Sequence, residues 1–158
     1  MVSSLIHGSV RSPGTTQGII VRLLDRHRGV RDTVAMKIAC QATREFTAHR
    51  SGIYDLMIDA DGFPACFTGY ALIPAVRRIR LVEPLAVGVV RHIYNADNTV
   101  LTETVTVFDK PSRHAYILRG FSAPFSWLVK QGEADWQLDE MPGGTRVVWT
   151  YEFILTSA

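Results

Sequence analysis

The residues best suited to chemistry are Arg91 and Glu103. They lie in two apolar segments, Ala86 to Tyr94 and Val100 to Phe108, which flank the polar stretch Asn95-Ala96-Asp97-Asn98-Thr99. Alternating apolar arms around such a stretch predict a β-hairpin. If the turn is centred on Asp97, Arg91 falls opposite Glu103, Ile93 opposite Leu101 and Val89 opposite Val105. A slip of one residue would turn one arm's apolar set outward, so this register puts the charged pair on the apolar face. Buried charges are tolerated when paired, and an Arg–carboxylate contact satisfies both groups. The pair then has two readings: an internal salt bridge that fixes the sheet, or an anchor that orients the polar end of a ligand.

Tyr116, Trp136, Trp149 and Tyr151 project toward the same interior by strand alternation, either as core filling with hydrogen-bonded tips or as ligand contacts. Phe63 and Phe67, in a short helix or turn that also carries Tyr70, are placed at the mouth. Of the five histidines, His7 and His27 lie in the N-terminal segment, His49 precedes the first helix, and His92 and His114 fall on strands. His92 has the opposite parity to Arg91 and is expected to face solvent. His49, near the cavity mouth, is a candidate base. No two histidines stand at i, i+4 and no cysteine joins them at zinc spacing, so no metal site is expected. Cys40 and Cys66 read as two buried free thiols of a reducing cytoplasm. The chain has no G-x-S-x-G elbow, P-loop or dinucleotide fingerprint, and no cofactor is expected.

These residues need a scaffold. A chain of 158 residues has the size of one domain with a sizeable core. Its net charge of +2 arises in the first thirty residues, where Arg11, Arg22, Arg26 and Arg28 face Asp25. The nearly neutral body lacks the footprint of a nucleic-acid binder. No apolar run reaches the ~18 to 20 residues needed to cross a bilayer. Residues 1–33 have a linker-like composition followed by Ile19-Ile20-Val21 and an Arg-rich stretch. They read as a disordered tail, a leader-like segment or the product of a start placed before Met36, with the domain proper over 34–158.

Val34, Met36, Ile38 and Cys40 alternate with Ala35, Lys37, Ala39 and Gln41 as in a half-buried strand, which is expected to run to about Thr47. Ser51 is a plausible N-cap for a helix carrying Ile53, Tyr54, Leu56, Met57 and Ile58, which Asp59-Ala60-Asp61-Gly62 stops. Pro64 is tolerated in the first turn of the second short helix. Strands follow at Arg77 to Val82, in the two hairpin arms and at His114 to Leu118 after the turn Asp109-Lys110-Pro111-Ser112. Gly132, Ala134, Trp136 and Leu138 then alternate with Glu133, Asp135, Gln137 and Asp139, packed face against wet face. Met141-Pro142-Gly143-Gly144 turns the chain into a last strand bearing Val147, Trp149, Tyr151, Phe153 and Leu155 on one side. The fold class is α+β, with about seven antiparallel strands in a curved sheet and two short helices after the first.

Several local motifs, in order, carry a family resemblance over about residues 34–156. They are Ile53-Tyr54-Asp55-Leu56-Met57-Ile58-Asp59 running into Gly62-Phe63-Pro64-Ala65-Cys66-Phe67, then Val87-Gly88-Val89-Val90-Arg91, Glu103-Thr104-Val105, Asp109-Lys110-Pro111-Ser112-Arg113 before Tyr116, and Gly143-Gly144-Thr145-Arg146. With this order the chain resembles the START-like, or SRPBCC, superfamily of helix-grip (Bet v 1-like) proteins, in its polyketide cyclase/dehydrase-like branch. The resemblance implies a seven-stranded sheet gripping a long C-terminal helix, with a cavity between. This chain departs from it by ending at Ala158, directly after the last strand, so the closing helix is not expected here. The open face would then be covered by the segment around Gln17 to Asp25, by a second copy in a homodimer, or by nothing if the chain is truncated.

Three functions are compatible with this scaffold. The first is a cytoplasmic carrier, chaperone or sensor that binds a small hydrophobic ligand such as a lipid, quinone or polyketide. The second is an aromatase/cyclase-like enzyme, since polar cavity groups of the family's cyclases polarise a polyketide carbonyl and move protons. The third is an interaction module using the uncovered sheet face.

Overall fold

The computed structural model describes residues 20–23, 36–69 and 74–156. The notional strand start at Val34, residue Tyr70 and most of the N-terminal segment lie outside the described residues. One antiparallel sheet holds eight strands: β1 Ile20–Leu23, β2 Lys37–Phe46, β3 Val76–Leu81, β4 Val90–Asn95, β5 Val100–Asp109, β6 Arg113–Arg119, β7 Val129–Met141 and β8 Gly144–Leu155. Their spatial order is β1-β2-β8-β7-β6-β5-β4-β3. Two short helices, α1 Arg50–Ile58 and α2 Phe63–Cys66, link β2 to β3. Seven of the strands and both helices form the expected helix-grip arrangement, and Ile20–Leu23 adds an edge strand along β2.

Cross-strand partners in an antiparallel sheet share a face, so the register assigns the concave side. From β8 outward it carries Trp149 beside Trp136, Tyr151 beside Ala134, Tyr116 between Ala134 and Val105, and Arg91 beside Glu103. A bulge between Val105 and Val107 inserts one residue into β5 and reverses its parity. Phe108 therefore replaces Val107 on the concave side and pairs with His114.

Helix α1 closes one end of the sheet. Tyr54, fully buried, packs on Leu138 and Val147 and lies 6.1 Å from the Phe108 ring. Its hydroxyl donates to the Arg113 carbonyl at 3.2 Å. Burial, aided by the nearby Asp109 and Asp55 carboxylates, pushes this phenol up to about 12.

Three expectations are corrected. The α1 cap is His49, not Ser51: the helix starts at Arg50, and the His49 Nδ1 accepts the otherwise orphaned Ser51 N–H at 3.3 Å. The arm expected from Ala86 begins at Val90, because the chain turns at Gly88, whose φ of +89° suits glycine. Even so, the Gly88 N–H donates to Val105 O and the Val105 N–H to Val89 O, so Val89 does face Val105. Both cysteines are free but only half-buried: the β2 strand carrying Cys40 has an exposed stretch from Gln41, and Cys66 borders the open cavity. Among the described residues no helix is long and apolar enough to cross a membrane.

Candidate functional site

The concave side encloses a cavity of about 700 Å³, within the usual range for small-molecule sites. Arg91, Glu103, Tyr116, Trp136, Trp149, Tyr151, Phe63 and Phe67 all border it. Most of the remaining wall is apolar, with Ile79, Ile93, Leu118, Phe121 and Phe153 among its members. Small side chains at the middle of β7, Gly132 and Ala134, leave space for the Tyr116 and Tyr151 rings of the flanking strands. A β-carbon on Gly132 would stand 2.3 Å from the Tyr151 hydroxyl oxygen and 2.9 Å from Cζ. Gly132→Ala must therefore push the Tyr151 ring from its seat. The expected loss is about 1–3 kcal/mol of stability, read as a lower urea midpoint. An unchanged midpoint would mean that the ring has room to yield.

The aromatic wall is ordered by ring contacts. Trp136 and Trp149 stack at 4.9 Å with 18° between planes, and Tyr151 meets Trp149 edge-on at 5.7 Å. At the mouth, α2 places Phe63 and the adjoining Phe67 parallel at 6.1 Å. The Trp136 Nε1 donates to the Tyr116 hydroxyl at 3.5 Å, while the buried Trp149 Nε1 has no protein partner. Burial raises both cavity phenols, Tyr116 and Tyr151, and the Glu103 charge adds to each shift, so both are neutral donors across the ordinary pH range.

The charged pair sits where the hairpin symmetry put it. Arg91 and Glu103 are 3% and 4% exposed, and the Arg91 Nε donates to Glu103 Oε1 at 2.6 Å while Nη2 engages the same oxygen. Arg91 Nη1 is buried without a protein partner. Burial pushes the Glu103 carboxyl up and Arg91 pulls it back, with the net direction upward.

His114 also borders the cavity, although only Tyr116 on this strand is expected there from the sequence. The two stand two residues apart on β6 and therefore share the concave face. The imidazole is 1% exposed and edged by Tyr54, Phe108 and Tyr116 at 6.3, 6.1 and 5.6 Å. Neither ring nitrogen has a partner in hydrogen-bond geometry. Burial first, then the Arg91 charge, pushes its pKa down to about 4, against a smaller upward pull from the Val107 backbone. His114 is thus neutral near pH 7. The alternative base, His49, is exposed and engaged in capping α1, outside the cavity wall. Among the described residues no cluster of three or more His, Cys, Asp or Glu side chains could hold a metal ion.

Residues 37–156, the whole sheet from β2 onward, match the family described as polyketide cyclase/dehydrase and lipid transport. The chain belongs to that family. Solved structures agree on the fold. The Zhui aromatase/cyclase from a Streptomyces species is 15% identical with a TM-score of 0.60, covering 77% of this chain and 70% of that one. Ara h 8.0201 is 14% identical with a TM-score of 0.60, covering 77% and 79%. The di-domain ARO/CYC BexL is 19% identical with a TM-score of 0.56, covering 76% of this chain and 37% of its own. No curated protein matches. Among the described residues of this family member no long helix lies over the concave face, and β8 is followed directly by Thr156.

Proposed function

We propose that this family member binds a small, mainly apolar molecule in the concave cavity and serves as its carrier, chaperone or sensor. The observation that carries this reading is a mainly aromatic and aliphatic cavity of about 700 Å³ with the buried Arg91–Glu103 ion pair in its wall. Burial supplies the affinity, and one or two polar anchors orient the guest. Lipids, quinones and polyketide-like compounds share this chemistry.

The tryptophans provide a direct test. Trp127 is 73% exposed and outside the cavity, whereas Trp136 and Trp149 border it. In a Trp127→Phe protein all tryptophan emission comes from the cavity wall. Titration with the neutral dye N-phenyl-1-naphthylamine is expected to quench that emission saturably, at one dye per chain. A linear, unsaturable response would contradict the reading.

One observation favours aromatase/cyclase-like chemistry as a second reading: Arg91, Glu103, His114 and Tyr116 converge, with the Glu103 and His114 ionisations displaced by burial. Cyclised, dehydrated product from a poly-β-ketone thioester, lost in Glu103→Gln, would establish it.

A further inference from the structure

The ligand-binding reading leaves one group of atoms unexplained. Three buried nitrogens in the cavity wall, Arg91 Nη1 and both ring nitrogens of His114, have no partner in hydrogen-bond geometry, and the His114 ring stands near enough to Arg91 to feel its charge. Buried polar atoms are nearly always satisfied, and each one left unsatisfied destabilises the fold appreciably. Both side chains border the cavity, so a bound molecule can supply what the protein does not.

We infer that this part of the cavity wall is a subsite for an uncharged hydroxyl group of the ligand, with His114 as the specificity-determining residue. The inference rests on the ligand-binding reading and goes further in naming the group recognised. A neutral imidazole offers one N–H donor and one lone-pair acceptor, and Arg91 Nη1 offers a further donor. A hydroxyl matches this set: its hydrogen goes to the bare imidazole nitrogen, and its oxygen accepts from Arg91. A carboxylate has no hydrogen for that nitrogen and would add a second anion beside Glu103. An ammonium has no lone pair for Arg91 and would stand against its positive charge. A methyl group in the same place leaves all three nitrogens unmet.

The test uses three naphthalenes of one shape: 2-naphthol, 2-methylnaphthalene and 2-naphthoate, with affinities measured by calorimetry at pH 7. Wild type is expected to bind 2-naphthol at least about tenfold tighter than either of the others, the effect of roughly one good hydrogen bond to a buried partner. His114→Phe is expected to erase that preference while leaving 2-methylnaphthalene within about threefold of wild type, and His114→Gln, which keeps one donor and one acceptor, to restore part of it. Should the variants not fold, nitrogen NMR of wild-type imidazoles decides instead: 2-naphthol must shift the His114 ring resonances and 2-methylnaphthalene must not. Equal binding of all three compounds, or unmoved His114 resonances, overturns the subsite while leaving the cavity reading intact. Failure of wild type to bind any of them counts against both.

Discussion

Arg91→Ala is expected to lower the unfolding free energy by about 3–5 kcal/mol, and Glu103→Ala by a similar amount. Each removes one member of a pair that is almost wholly buried and leaves the other charge in the apolar interior. An exposed ion pair, by contrast, is worth about 0–1 kcal/mol. The solvent-facing pair Arg113–Asp135, also doubly hydrogen-bonded, provides an internal comparison, and Arg113→Ala should stay near that lower range. Removing both buried charges at once, as Arg91→Met with Glu103→Leu, should cost much less than the two single losses together, because no charge is stranded. Against a total stability of about 5–15 kcal/mol for a domain, the single losses are large. Urea unfolding at pH 7 measures them, and losses near zero for both singles would contradict a buried pair.

The second large effect comes from pH. His114 has a pKa of about 4 in the folded protein against 6.5 for an ordinary histidine. As pH falls, the unfolded chain therefore takes up this proton first. Stability contributed by the neutral buried imidazole is fully present above about pH 6.5 and declines toward about pH 4, by a total of about 3 kcal/mol. The groups facing the imidazole are Arg91, Tyr54, Tyr116 and Phe108, with Glu103 beyond Arg91. The tyrosines do not titrate in this window. Glu103, with its folded pKa raised, works in the opposite sense: the folded chain takes up that proton first, so its contribution grows as pH falls. The comparison that isolates His114 is the difference between wild type and His114→Phe. Wild type should lose about 3 kcal/mol more than the variant between pH 7 and pH 4. Parallel pH profiles would show that His114 is not held neutral.

Much of this architecture is legible in the chain itself. Strict alternation through Trp136 and Leu138, and through Trp149 and Tyr151, orients two long strands without further information. The polar stretch around Asp97 fixes one hairpin register and with it the ion pair. The bulge in β5 is not legible, because an inserted residue such as Thr106 has no composition of its own; it shows only when Val105 and Val107 are matched to their partners on β6. His114 shares its parity with Tyr116, and that signal was available, but a lone histidine on a strand is ordinary. What distinguishes it is the unmet hydrogen bonding of both nitrogens, which depends on Tyr54, Phe108 and Arg91 arriving from distant parts of the sequence. The His49 cap was hidden for a different reason: Ser51 carries the commoner capping side chain, and only the backbone shows that the helix begins ahead of it.

The most direct test of the central claim, that the concave cavity holds a small apolar guest, is a native mass spectrum of the gently purified protein with organic extraction of whatever accompanies it. The account predicts a near-stoichiometric apolar compound, lost in a variant that fills the cavity from its lining, such as Leu118→Trp. An empty protein whose concave face is instead buried against a second copy would contradict it.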